Sequence, residues 1–378
     1  MRSNTESLFF ELLQIAIGNR QCLSTVPSNE EWQSLFQMSQ KQSLVGIAFL
    51  GLQALPMEQR PLRALVLQWY SIAMQIQQRN KLTTEVCHQL VESLEQDGFR
   101  SCIMKGQANH RYYSEGLCML RSCGDIDIWV TPENEREKHP VKKVLNYFYG
   151  KGLVESLCYL HIEVKPVMSV PVEVHLRPSF LNSPLRNRYF QRLFASHDRC
   201  ICMQNVDGTE LPVMSVDYDA IFQLNHIYRH LIDEGIGLRQ VLDYYMLLGK
   251  WKDEHRMSQE MLLYHISRLG MMRFTKALMY VLREVFSMPL GWMICEASVK
   301  DGRFLLNEII LAGNFGHYDS RLIQLDVHKG QTSYQIKRAR RRIIRNMSFF
   351  ASYPEEVFWE PITRIAHLFW RKYHLWKY

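Results

Sequence analysis

The sequence predicts an α+β protein, a strand-bearing middle between two helical ends, and three observations lead there. Near the start, apolar residues recur at helical spacing: Leu8, Phe9, Leu12, Leu13 and Ala16, then Leu65, Trp69, Ile72, Ala73 and Ile76. Across the middle, period-two alternation and turn residues take over. From Asp217 onward the pattern is helical again. These shifts divide the chain into a helical region over 1–95, a core over 96–215 that the interleaving alone reads as α/β or α+β, and a helical region over 216–378.

In chain order, Gln96-Asp97-Gly98 ends the first helical region and residues 99–104 form a short strand. Residues 107–116 form a short helix closed by Gly116. Residues 126–130 form a strand stopped by Thr131-Pro132. A helix over 133–149 has to accommodate Pro140, which starts, kinks or breaks it. Residues 159–165 and 172–177 alternate and pair as a hairpin whose medium-length loop holds Pro166 and Pro171. A second hairpin joins 200–203 to 210–213 through Asn205-Val206-Asp207-Gly208.

Composition bounds the function. With 378 residues, 47% of them hydrophobic and 22% charged, the chain can bury a large core unaided and is not mostly disordered. The nine cysteines include no Cys-x-x-Cys pair, which argues against a zinc ribbon and reads as core thiols of a reducing cytoplasm. No apolar run approaches the roughly 18 residues of a membrane span. The opening Met1-Arg2-Ser3-Asn4-Thr5-Glu6 lacks the apolar core of a secretory signal, so a soluble, cytoplasmic protein without integral membrane insertion is expected. Lys and Arg outnumber Asp and Glu by 45 to 38, a surplus that suits polyphosphate or nucleic acid without choosing between them.

The sharpest constellation is Gly124-Asp125-Ile126-Asp127-Ile128. On a strand, Asp125, Asp127 and Trp129 share one face and Ile126, Ile128 and Val130 the other. Aspartates two apart lie roughly 7 Å apart at Cα, close enough to grip a divalent ion. A solvated edge strand is the plainer explanation, but aspartate is disfavoured in strands, and two in an apolar one need a reason. In Pro171-Val172-Glu173-Val174-His175-Leu176-Arg177, Glu173, His175 and Arg177 share the polar face, so Glu173 supplies a third carboxylate if the two strands are neighbours. Glu163, beside His161 and Lys165, competes for that place. Ile103-Met104-Lys105-Gly106 runs from a strand into glycine and a helix, where backbone and lysine can meet a phosphate.

Together these pieces resemble the nucleotidyltransferase superfamily of DNA polymerase beta. More narrowly, Met104-Lys105-Gly106, Arg121-x-x-Gly124-Asp125-Ile126-Asp127-Ile128 and Glu173-Val174-His175 resemble the bacterial family labelled uncharacterised nucleotidyltransferase. So do His226 to His230 and Leu238-Arg239-Gln240-Val241-Leu242-Asp243, the resemblance covering roughly residues 85–250. It implies a small mixed β-sheet flanked by helices and transfer of a nucleoside monophosphate from an NTP, such as ATP, to an unidentified acceptor. Asp125, Asp127 and Glu173 would hold Mg²⁺ or Mn²⁺ and act in catalysis, because hard ions call for carboxylate oxygens. Lys105, Gly106, Arg121 and Gly124 would bind the nucleotide. His175, His226, Arg229, Arg239 and Asp243 would line the acceptor pocket, between the sheet and the C-terminal helices. The sequence departs from the superfamily in having Gln107, not Ser, after Gly106. That motivates an alternative, a nucleotide-binding or regulatory protein on the same fold without transfer activity.

Other features read more plainly. Ile221, Leu224, Ile227 and Leu231 define an apolar helix face, leaving His226 and His230 on the polar one. Arg239 and Asp243 stand four apart, the spacing of a helical ion pair. Six basic residues crowd into 337–345, which keeps a nucleic-acid-binding helical protein as a less favoured alternative. Ile336, Ala339, Ile343 and Met347 form an apolar stripe there, so a scaffold helix with solvated charges is expected. Seven aromatics in 358–378 are expected to pack on the body or on a twin subunit, which leaves a homodimer open.

Overall fold

The structure of the protein is a computed structural model that describes residues 3–134, 136–319 and 331–376, with backbone alone for 331–339 and 341. Four helices lead: α1 (Asn4–Ala16), α2 (Asn29–Lys41), α3 (Val45–Ala54) and α4 (Arg63–Gln96). Ser3 and Ser28 start the first two with capping boxes to Glu6 and Glu31, satisfying the exposed first-turn N–H groups. Strand β1 (Phe99–Met104) follows, then a 3-10 turn over Gly106–Tyr112 and strand β2 (Ile126–Pro132). Next come α5 (Pro140–Gly150), β3 (Val154–Leu157), β4 (His161–Val167), β5 (Val170–His175), α6 (Pro184–Leu193), α7 (His197–Cys200), β6 (Ile201–Val206) and β7 (Thr209–Met214). The remainder is helical: α8 (Val216–Asp233), α9 (Leu238–Glu254), α10 (Gln259–Arg268), α11 (Met272–Phe286), α12 (Val299–Ala312), α13 (Gln331–Phe350) and α14 (Pro354–Leu375).

The strands make one mixed seven-stranded sheet in the order β3-β4-β5-β2-β1-β7-β6. β2 runs parallel to β5 and β1 parallel to β7, and the other pairs are antiparallel. One sheet face packs Ile126, Ile128, Val130, Val172 and Val174 onto α5 and the second half of α4. A second, larger core joins the leading helices to the trailing ones: Gln14 Nε2 on α1 donates to Val285 O on α11 at 2.9 Å.

Several expectations are corrected. The helix over 107–116 is a 3-10 turn that stops before Gly116, and the one over 133–149 starts at Pro140, whose missing N–H costs nothing in the first turn. The first hairpin turns on two residues, Met168 and Ser169, both at positive φ (48° and 66°), because Pro166 and Pro171 sit within the strands beside a register shift. Strand β3 is an addition, too short to show alternation.

The largest correction concerns α13 and α14. Ile343 and Met347 do not form a buried stripe: they are 60% and 74% exposed, while Arg345 is buried. Arg345 Nε donates to Leu231 O and Ile232 O, at 3.0 and 2.9 Å, carbonyls in the last turn of α8 that lack helical partners. The aromatics of α14 divide: Trp370 packs against the sheet core and edge to face on Tyr159 at 5.4 Å, as expected, whereas Phe358, Phe369, Tyr373 and Trp376 are exposed. The side chains of Ile336, Lys337, Arg338, Ala339 and Arg341 lie outside those described.

Candidate active site

Parallel pairing of β2 with β5 sets the register Asp127↔Glu173 and Trp129↔His175, so alternate residues of both strands point to one face. Carboxylate oxygens of Asp125, Asp127 and Glu173 lie within 4.8 Å of one another. Glu163 pairs with Glu173 in register but sits one strand further out, is exposed, and does not join the group.

Lys105 Nζ at 2.6 Å and His175 Nε2 at 2.7 Å both converge on Asp127 Oδ1. Burial opposes its ionisation, but Lys105 and the His175 hydrogen bond outweigh burial and hold the carboxyl well below the usual range. Asp125 goes the other way. Burial, then the Asp127 charge, push it up to about 6. His175 is itself raised, because its bonds to Asp127 and Glu173 overcome burial. Lys105 is held at φ 51° as the chain leaves β1, and Gly106 follows at φ 36°, where an added Cβ would come within 3.4 Å of Asp125 O.

The loop between Arg121 and Gly124 is braced from below. Arg121 forms a bidentate pair with Asp243 on α9, Nε to Oδ1 at 2.7 Å and Nη2 to Oδ2 at 2.6 Å, and Tyr113 donates to the same Oδ1 at 2.7 Å. The remaining nitrogen, Nη1, reaches Ser122 O and Cys123 Sγ. Asp243 is therefore held by Arg121 and not by the helical neighbour Arg239, whose Nη1 donates to Ser122 O at 2.7 Å. The Cys123 thiol also lies 3.5 Å from His110 Nε2, whose Nδ1 is 2.7 Å from Asp207. Burial alone would lower His110, yet the Asp207 bond raises it to about 9.

A cavity of about 930 Å³ opens over the carboxylates, walled by α8, α9 and the C-terminal helices. It is lined by the expected metal, nucleotide and acceptor residues Lys105, Gly106, Arg121, Gly124, Asp125, Asp127, Glu173, His175, His226, Arg229, Arg239 and Asp243, but not by Glu163. His226 and His230 stack edge to face at 4.3 Å, and burial depresses both. Arg229 lies over the Phe180 ring at 5.1 Å.

Sequence reasoning passed over several of the lining groups. His161 sits 3.1 Å from Glu173, and burial, then the His175 charge, lower it to about 4. His367 stacks on Tyr159 at 3.8 Å. Arg342, Arg345, Arg364 and Arg371 also line the cavity. The available signal was the spacing of Arg345, Phe349, Tyr353, Glu356, Glu360, Arg364 and His367, three or four apart and mostly polar. All nine cysteines are free thiols.

The family described as Uncharacterised nucleotidyltransferase matches residues 28–287. Among solved structures, the chain is similar to an antigenic nucleotidyltransferase-like protein from Paracoccidioides brasiliensis. The identity is 11%, 54% of this chain and 91% of that one are covered, and the TM-score is 0.31. No curated protein matches the chain. Among the described residues no helix is long and apolar enough to cross a membrane.

Proposed function

The chain belongs to the uncharacterised nucleotidyltransferase family, and from that premise we propose that it moves a nucleoside monophosphate from an NTP, ATP among them, to a second substrate in the cytoplasm, breaking the α–β phosphoanhydride bond and releasing pyrophosphate. The observation that carries this reading is the clustering of Asp125, Asp127 and Glu173 oxygens within 4.8 Å on the floor of a cavity large enough for a nucleotide. An all-oxygen donor set fits Mg²⁺ or Mn²⁺. A bound ion there supplies charge neutralisation at the α-phosphate and a more acidic attacking hydroxyl.

The chain's own groups do the rest. Lys105 and His175 keep Asp127 ionised, so that its carboxylate is ready for a cation. Glu173 is held below its usual range, its bond to His175 outweighing burial, and is the carboxylate to take up the acceptor's proton. Gly106 lets the backbone approach phosphate, with Lys105 supplying positive charge beside it. Arg121 has all three guanidinium nitrogens engaged, so its role is to fix Gly124 and Asp125 by clamping their loop to Asp243. His226, Arg229 and Arg239 face the cavity from α8 and α9 and serve the acceptor.

One observation favours the alternative, nucleotide binding without transfer. The Gln107 side chain is buried and donates to Asn80 O and Thr84 Oγ1 at 3.0 and 2.7 Å, so it offers nothing in place of the usual serine hydroxyl. Incubating the protein with each α-labelled NTP, Mg²⁺ or Mn²⁺ and cell extract separates the two. Label transfer that disappears in Asp125→Asn supports the proposed function, and metal-dependent NTP binding without transfer supports the alternative.

A further inference from the structure

Helices α13 and α14 are inverted relative to a helix that packs on a protein body. An amphipathic helix normally turns its apolar stripe inward. On α14 the inward positions are mostly polar, Glu360, Thr363, Arg364 and His367 with Trp370 as the one aromatic, while Phe358, Ile362, Ile365, Phe369, Tyr373 and Trp376 form a stripe, three or four apart, that is 46% to 86% exposed. On α13, Ile343, Met347 and Phe350 continue the exposed apolar surface, and Arg345 points in. The inverted face is built into the fold. Its base is anchored by Phe349, Tyr353 and Val357 in the core and by Glu356, which accepts from the Asn182 and Ser183 N–H groups. Thr363 adds a hydrogen bond to Asn182 O at 2.7 Å.

Charge says what covers that face. The whole formal surplus of +7 lies in residues 331–378, which hold 10 of the 45 Lys and Arg and 3 of the 38 Asp and Glu. The three acids, Glu355, Glu356 and Glu360, lie at the anchored end and are engaged with Arg186, the Asn182 N–H and Arg364. Arg342, Arg345, Arg364 and Arg371 line the cavity, whereas Arg340 and Lys372 are exposed along the helices clear of it. A second copy would set this surplus against itself. An anionic bilayer complements both properties, taking aromatic and aliphatic side chains below the headgroups and Lys and Arg among them.

We propose that the α13–α14 hairpin docks the protein on an anionic lipid surface, lying in the interface without crossing it. This goes beyond the transfer reaction and does not depend on it, because Phe369, Trp376, Arg340 and Lys372 on the hairpin's outward face do not line the cavity.

Flotation of the full chain with phosphatidylcholine vesicles, with and without phosphatidylglycerol, tests the proposal. Partitioning is expected to be at least about tenfold greater on the anionic vesicles and to weaken with salt. Phe369→Glu with Trp376→Glu should abolish it, and Arg340→Gln with Lys372→Gln should reduce it by about tenfold or more. These four side chains are exposed, so the thermal midpoint should stay unchanged, which separates lost docking from lost folding. The proposal is overturned by absence of vesicle binding or by equal binding to neutral vesicles. It is also overturned by RNA binding without vesicle binding, or by a dimer in place of vesicle binding that Phe369→Glu with Trp376→Glu dissolves.

Discussion

Strands β2 and β5 show two faces made from one backbone. On one, Ile126, Ile128, Val130, Val172 and Val174 are buried against helices with no polar atom to satisfy. On the other, Asp125, Asp127, Glu173 and His175 crowd four titratable groups into one contact network beneath a cavity. Period-two geometry separates the residues that hold the sheet from those that would act, so that like charges can gather on one side without loosening the other. The comparison makes a double claim: changes on the apolar face cost stability and spare the chemistry, and changes on the charged face do the reverse.

The largest expected effect is on the charged face. Asp125→Asn should lower label transfer by on the order of 10³-fold while leaving the thermal midpoint equal or higher. Arg121→Gln should break the comparison, since it lies beneath the charged face yet holds a buried pair. It leaves Asp243 without its guanidinium, and a loss of about 4 kcal/mol in denaturant unfolding is expected. Ile128→Ala, at a fully buried position, should cost about 3 kcal/mol and leave Mn²⁺ affinity unchanged.

The smallest effect sharpens the contrast. Asp125 is raised to about 6 in the fold, above its unfolded value near 3.9, so its ionisation opposes folding. That cost is absent below about pH 4, grows as the pH rises towards 6 and is complete above it. Without metal, Asp125→Asn should therefore add on the order of 1 kcal/mol of stability at pH 8 and nothing at pH 3.5, compared by urea unfolding at both. The same proton competes with a metal ion, so Mn²⁺ affinity in the parent protein should fall as the pH drops through 6.

The α+β architecture and the carboxylate floor of the candidate cavity were legible because they follow from local patterns. Alternation put Asp125 and Asp127 on one face, and Glu173 met them once β5 lay beside β2. What was not legible depended on long-range partners. The Arg239–Asp243 spacing suggested a helical pair, but Arg121, 122 positions earlier, takes Asp243 with better geometry. The stripe of Ile336, Ala339, Ile343 and Met347 suggested an inward apolar face, but the unpaired carbonyls at the end of α8 draw Arg345 inward and turn the Ile343 and Met347 side outward. The His110–Asp207 contact joins a 3-10 turn to a hairpin tip, and Asp207 had been accounted for by its turn alone.

Anomalous diffraction from crystals grown with Mn²⁺ and a non-hydrolysable NTP tests the central claim most directly. The account predicts Mn²⁺ bound by Asp125, Asp127 and Glu173, with the phosphates on the Lys105–Gly106 side of the cavity and no Mn²⁺ signal in Asp125→Asn with Asp127→Asn. Mn²⁺ bound elsewhere, or a nucleotide seated in the cavity with no ion at these three carboxylates, would contradict it.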